Sequence, residues 1–326
     1  MNLTILIAHL ALWSVVGLLG QPVSQADRSV AFKDYFDVSS SHTGMRLVDC
    51  TFQAGRFYFL FTGVGKSELV ATDIDGRVTA RRAARTPANH LYSRCYLGGA
   101  IAAHPARGGT TILEEYSTDL DYVKTFVVPG EFVGGLCLPG GFAGLGPGTL
   151  TSIDAATAAV RSGSLPAGGD DPVLAAQAGP DSFVILRQFS GILQQIDHAG
   201  RLENQTALAG PGLNQLRAVR EAGEGLFAPT IASDRAGVFV ILGRHSPDTG
   251  LRLQRYTFGG RFVAEWQLPH LTFEEFKKAR QTGALFSNSN GSLLIGRLFV
   301  VGGFAYNVDT VNKRVVRFWC GQLCGE

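Results

Sequence analysis

The chain has 326 residues, 45% hydrophobic and 17% charged. That supplies a core for one large domain or two ordinary ones and excludes a disordered chain. With 29 basic and 27 acidic residues the net charge is +2, which speaks against nucleic acid as the main partner, because phosphate binding needs a clustered basic face.

Residues 3–20 form an apolar run without Lys, Arg, Asp or Glu, and Val23-Ser24-Gln25-Ala26 follows with small residues at the −3 and −1 positions for a cut after Ala26. This is the layout of a secretory signal peptide over residues 1–26. The alternative is an uncleaved anchor, since roughly 20 apolar residues span a bilayer. Either places residues 27–326 outside the cytoplasm, periplasmic or secreted, with membrane association only in the uncleaved case. No Cys follows the run, so no lipoprotein anchor is indicated.

A strand–loop–strand–turn–strand unit then recurs six times. Its turns read Asp73-Ile74-Asp75-Gly76, Thr118-Asp119-Leu120-Asp121, Asp154-Ala155-Ala156-Thr157, Asp197-His198-Ala199-Gly200, Thr257-Phe258-Gly259-Gly260 and Asp309-Thr310-Val311-Asn312. The mean spacing is about 47 residues, the period of a four-stranded propeller blade. Asp or Thr at the first position accepts a hydrogen bond from the backbone two residues on. Gly or Asn at the fourth supplies the positive φ that a hairpin turn requires. Residues 29–37 read as a further strand, expected to pair near 314–318 and so close the ring. Thr272 and Glu275 form a capping box for a short helix over 272–280, a strap across a blade edge.

The segments Leu69-Val70-Ala71-Thr72-Asp73-Ile74-Asp75-Gly76-Arg77-Val78 and Leu193-Gln194-Gln195-Ile196-Asp197-His198-Ala199-Gly200-Arg201-Leu202 resemble six-bladed β-propellers of the NHL and TolB-like type. The resemblance covers nearly all of residues 27–326 and implies an all-β fold of four-stranded antiparallel blades in a single domain. It names no reaction. The wide gap between residues 197 and 257 leaves room for a seventh, degenerate blade.

Inner strands are expected at Val48-Asp49-Cys50, Ser93-Arg94-Cys95, Gly135-Leu136-Cys137, Leu174-Ala175-Ala176, Ala228-Pro229-Thr230 and Leu285-Phe286-Ser287. Cys50, Cys95 and Cys137 recur at the blade period, where packing is the expected role and a thiol metal site the alternative. A Cys50–Cys95 disulfide is conceivable. Cys320 and Cys324 are the leading disulfide candidate, and Cys137 the expected unpaired thiol, since five cysteines leave one over. The Gly-rich run 134–148 lacks the Lys-Ser/Thr ending of a phosphate loop. Glu114-Glu115 lies in a strand and points to opposite faces, so it forms no acid/base couple.

Three function classes are open. The first is an exported, non-enzymatic scaffold, expected as a monomer, that binds a protein, a glycan or a small ligand through its loop faces or channel. The second is a metal-dependent hydrolase or lactonase, because similar six-bladed rings host calcium sites. The metal candidates are Asp49 on the first inner strand and Asp170-Asp171 in a loop at the channel mouth. Only Asp49 is acidic on the inner strands, and Arg94 is expected to pair with it, which weighs against a catalytic metal. The third, a quinone-binding redox ring, fits poorly with three Trp.

Overall fold

The computed structural model describes residues 35–37, 44–132, 134–146, 148–166, 171, 173–179, 182–188, 190–211, 230–243, 251–268, 297–309 and 313–319. These residues form six four-stranded antiparallel sheets. A short strand, β1 (Tyr35–Asp37), precedes the first of them. That sheet holds β2 (Arg46–Gln53), β3 (Arg56–Gly63), β4 (Lys66–Asp73) and β5 (Val78–Ala83). The second holds β6 (His90–Ser93), β7 (Ala100–Ala106), β8 (Thr110–Tyr116) and β9 (Tyr122–Pro129). The third holds β10 (Gly134–Leu138), β11 (Gly141–Gly146), β12 (Thr149–Asp154) and β13 (Val160–Ser164). The fourth holds β14 (Val173–Gln177), β15 (Ser182–Arg187), β16 (Ile192–Asp197) and β17 (Leu202–Ala207). The fifth holds β18 (Thr230–Asp234), β19 (Gly237–Gly243), β20 (Leu251–Thr257) and β21 (Phe262–Leu268). The sixth combines β22 (Leu298–Val301), β23 (Phe304–Asp309) and β24 (Arg314–Trp319) with β1.

Each sheet is followed by the next around a ring. The inner strands β2, β6, β10, β14, β18 and β22 are successive neighbours, and Arg297 beside β22 returns to Asp49 on β2. The fifth inner strand touches the fourth and the sixth directly, so no seventh blade fits in the 197–257 gap. The ring is closed by chain ends far apart in sequence. Tyr35 pairs with Val316, Phe36 with Val315 and Asp37 with Arg314. This pairing gives the last sheet its outer strand and covers an edge that would otherwise template aggregation.

Apolar residues run consecutively along the second strands of the sheets, as at Phe57–Phe61 on β3, so these strands bury both faces and each sheet packs between its neighbours. Tyr58, Leu60, Leu69 and Ala71 of the first sheet meet Leu91, Ala102 and Tyr116 of the second. Tyr92, Ile101 and Leu113 meet Phe142 and Ile153 of the third. Phe57, Phe59 and Phe61 meet Tyr306 and Val308 of the sixth. A blade alone would leave both of these faces in water. At about 25 cal/mol per Å² of apolar area, stacking rather than any single hairpin supplies the stability.

The repeat turns work as their residue types predict. Asp73 Oδ1 accepts from the Asp75 and Arg77 amides at 3.0 and 2.8 Å. Asp197 Oδ1 accepts from Ala199 and Arg201, both at 2.9 Å. Three of the six expected turns need correction. In the second sheet the acceptor is Ser117, one residue earlier than expected: its hydroxyl takes the Asp121 amide at 3.0 Å, and Leu120 adopts φ 64° where other repeats have Gly. The third turn is one residue longer and puts Ala158 at φ 58°. The turn after Asp309 joins the second and third strands of its sheet, not the third and fourth, because the N-terminal strand supplies the fourth. It therefore lies at the opposite end of the ring from the others. The expected helix over 272–280 lies outside the described residues.

Candidate functional site

All six inner strands run in the same direction. At the end where they begin lie His90, Asp49 and Arg297; at the end where they finish lies a belt of small polar side chains.

The belt is built from register. Thr51, Ser93, Cys137, Gln177 and Ser233 recur at intervals close to the blade period, one on each of five successive inner strands. The Thr51 and Ser93 hydroxyls share a short hydrogen bond. The Cys137 sulfur lies 3.8 Å from the Ser93 carbonyl, and the Cys137 amide donates to Gln177 Oε1 at 3.0 Å. Ser233 donates its hydroxyl proton to the Gln177 carbonyl. Each link crosses from one sheet to the next and satisfies groups that would be costly to leave unpaired.

Cys137 forms a disulfide with Cys95, Cα to Cα 5.6 Å, joining the second sheet to the third. This corrects two expectations: Cys137 is not the free thiol, and Cys95 does not pair with Cys50. Cys50 is the free, buried cysteine among the described residues. It packs with Phe57, Phe59 and Val308 on the face of β2 turned to the sixth sheet, away from the second sheet that carries Cys95. Burial, then the neighbouring Asp49 charge, push its thiol pKa up, so it is a packing group rather than a nucleophile. Cys320 and Cys324 lie outside the described residues. A disulfide of this kind persists in oxidising compartments and points to a location outside the cytoplasm.

At the other end a β-bulge sets the geometry. Leu47 pairs with Phe61 and Asp49 with Leu60, so Val48 is an extra residue. Strict alternation would put Leu47 and Asp49 on one face. With the bulge, Leu47 and Cys50 face the sixth sheet, while Val48 packs against the second and the Asp49 carboxylate reaches it. Asp49 Oδ2 accepts from the Leu91 amide at 2.9 Å and Oδ1 from its neighbour Cys50 at 2.8 Å. Arg297 Nε and Nη2 donate to the same two oxygens at 3.0 and 3.2 Å. One carboxylate thus ties together the sixth, first and second sheets.

Arg297 was not legible as a partner. Arg94, the expected one, instead donates Nε to Glu115 at 3.0 Å, with both side chains buried and Tyr96 donating to the same carboxylate. Glu114, on the opposite face, accepts from Tyr116 at 2.7 Å, from Thr86 and from the Arg85 amide. The sixth inner strand is Leu298–Val301 rather than the expected 285–287, which lie outside the described residues. The signal for it is present in the sequence: an apolar run ending in Gly302-Gly303, the pattern that also marks Cys137 before Gly140-Gly141.

His90, Tyr92 and Arg297 complete the cluster. His90 Nδ1 lies 3.8 Å from Asp49 Oδ2, and its ring stacks on Tyr92 with an interplanar angle of 11°. The Arg297 guanidinium carbon is 5.9 Å from the Tyr92 ring centroid. Burial lowers the His90 pKa below its ordinary value, Asp49 opposing and Arg297 reinforcing the shift. Burial works against the Arg297 charge, and Asp49 more than offsets it. Tyr92 is pushed up by burial, and its hydroxyl is buried without a hydrogen-bond partner. Gly135 is required beneath it, since a Cβ there would fall 2.5 Å from the Tyr92 ring.

Of the remaining metal candidates, Asp171 Oδ2 accepts from the Ser190 amide at 2.9 Å and its hydroxyl at 2.7 Å. Asp170 lies outside the described residues. The structure does not bring Asp171 to Asp49.

No family model matches the sequence, and no curated protein matches it. Solved structures do. Virginiamycin B lyase from Staphylococcus aureus superposes with a TM-score of 0.53 at 13% identity, over 87% of this chain and 98% of that one. A streptogramin B lyase gives a TM-score of 0.46 at 11% identity, over 89% and 99%. The WD40 domain of Toxoplasma gondii coronin gives 0.49 at 12%, over 84% and 69%. At such identities the likeness is one of fold, and the six radially stacked sheets, together with the match at a TM-score of 0.53, make this chain a β-propeller.

Proposed function

We propose that this chain is an exported, non-enzymatic propeller scaffold, periplasmic or secreted, that holds a ligand at the mouth of its channel where Asp49, His90 and Arg297 meet. One observation carries the reading. Both oxygens of Asp49, the acidic group at the end of the ring where the inner strands begin, are held by Arg297 and two backbone amides, and Asp234, the other described acidic residue on an inner strand, is paired with Arg255. Calcium binding there would have to displace a guanidinium and leave it recessed without its counter-charge. The disulfide supports the assignment to an oxidising compartment, and a rigid disc with loops at both ends supports recognition rather than chemistry.

The test is a thermal-shift screen of the purified chain against small acids, sugars and esters, with recovery of each hit. A saturable shift with the ligand recovered unchanged is the expected result. Turnover of the ligand, or a melting temperature that falls on addition of a chelator, would favour the calcium-dependent hydrolase instead.

A further inference from the structure

We propose that the axial recess formed by Arg297, His90 and Tyr92 is a binding site for a small apolar monocarboxylate; this names the ligand class for the scaffold reading above and rests on it.

Three observations converge on one place. Arg297 spends Nε and Nη2 on Asp49, and Nη1 has no partner among the described residues. A third of its side chain is open to solvent, as is that of His90. Neither ring nitrogen of His90 is hydrogen-bonded among the described residues; the Asp49 contact, at 3.8 Å, is longer than a hydrogen bond. Tyr92, beneath both, carries a buried hydroxyl with no partner. Arg297 Nη1 and one His90 ring nitrogen are donors, the other His90 nitrogen is an acceptor and the Tyr92 hydroxyl can do either, so donors predominate and an acceptor on the ligand satisfies most of them. Buried polar groups in native proteins are nearly always satisfied, so an orphaned hydroxyl beside a half-used guanidinium marks a place where a ligand atom, rather than a protein atom, completes the set.

The charge balance selects the acceptor. Arg297 and Asp49 neutralise each other, and His90 is held neutral by its burial. One negative charge is tolerated, because the ligand's own charge favours protonation of His90. Two charges are not, which disfavours a dianion such as sulfate. The opposite half of the ring determines the rest of the ligand. The inner strands there begin at Gly134, which has no side chain, at Val173-Leu174 and at Thr230, all half-buried. Among the described residues, a carboxylate directed at Arg297 and His90 thus faces a largely apolar surface across the axis for a short hydrocarbon tail.

Binding should be linked to protons. The groups facing His90 are Asp49, Arg297 and Tyr92, with the Cys50 thiol behind Asp49. An added carboxylate raises the His90 pKa, so affinity rises as the pH falls from about 7 to about 5.5.

The experiment is calorimetric titration of the full chain with hexanoate at pH 7 and pH 5.5, with hexanol and inorganic sulfate as comparison probes. Hexanoate should bind saturably and more tightly at pH 5.5, and neither comparison probe should bind. His90→Gln should abolish the pH dependence. Arg297→Met should weaken binding roughly tenfold or more. Because that variant also unpairs Asp49, Tyr92→Phe is the decisive one. It removes an unpartnered hydroxyl, so the free protein keeps its melting temperature while hexanoate affinity falls roughly three- to tenfold. No saturable binding of hexanoate, equal binding of sulfate, or undiminished binding by Tyr92→Phe would each overturn the inference. If another small ligand shifts the melting temperature and is recovered unchanged while hexanoate does nothing, the carboxylate site alone is wrong and the scaffold reading stands.

Discussion

Replacing both cysteines of the Cys95–Cys137 bridge with serine should cost the propeller about 4 kcal/mol. The bond joins residues 42 apart. In the chain-entropy account, closing a loop of that length removes about 13 cal/mol/K from the unfolded ensemble, or about 4 kcal/mol at 25 °C. The native side of the balance changes little. Both residues are half-buried, and a serine hydroxyl at 137 can still donate to the Ser93 carbonyl that the sulfur now faces. A chain of this length unfolds with an entropy of about 0.7 kcal/mol/K, so the midpoint should drop by roughly 6 °C. Calorimetry of the oxidised chain, the reduced chain and Cys95→Ser/Cys137→Ser measures it. The reduced wild type and the double variant should melt together, both below the oxidised protein. A non-reducing tryptic digest should contain peptide 95–107 joined to peptide 125–161. A drop of less than about 1 kcal/mol in a protein whose digest contains that joined pair would refute the entropic reasoning. A digest without the pair would refute the bridge itself.

Four further outcomes follow from the geometry. Arg297→Met strands the Asp49 carboxylate in its recess and should cost about 2–3 kcal/mol in denaturant unfolding, the partial exposure of Arg297 placing it below a fully buried pair; Asp49→Asn/Arg297→Met should recover part of the loss, and a neutral single variant would show the pair to be idle. His90 has its pKa lowered by burial, so the unfolded chain takes up its proton first as pH falls; the stability it contributes is present above about pH 6.5 and is lost below it. His90→Gln should flatten that acid limb, and an unchanged limb in a pH series of melts would assign it elsewhere. Ala158 sits at φ 58° in an exposed turn, and Ala158→Gly should stabilise by about 0.5 kcal/mol, the relieved left-handed strain exceeding the entropy of glycine; a loss of stability would contradict that sign. Removing residues 1–38 deletes β1 and opens the sixth sheet, so the truncated chain should melt lower and self-associate through its exposed edge, which light scattering reads directly.

Much of this architecture can be read from local residue chemistry. A hairpin turn depends on a few adjacent positions, so Asp73, Asp197 and Thr257 announce their turns through side-chain acceptors at fixed offsets. Closure between residues 35–37 and 314–316 is also legible, because a ring of stacked sheets has one open edge and one unassigned strand to fill it. Where the local code is ambiguous the reading slips by one residue, as at Ser117, or runs one short, as at Ala158. Both turns lack glycine, and nothing in the sequence alone says which residue bears the positive φ.

The axial cluster is of another kind. Asp49 and Arg297 are 248 positions apart, and which arginine reaches the carboxylate depends on the ring closing between the first and last sheets and on the single extra residue Val48, which turns Asp49 toward the second sheet. The cysteines show the same division: their common spacing places Cys50, Cys95 and Cys137 near the axis, but only the face each strand turns to its neighbour decides which two meet. Periodic turns and alternating strands are properties of a short stretch of backbone and so are written in order along the chain. Pairing across the axis is a property of six sheets packed at once, and no local stretch encodes it.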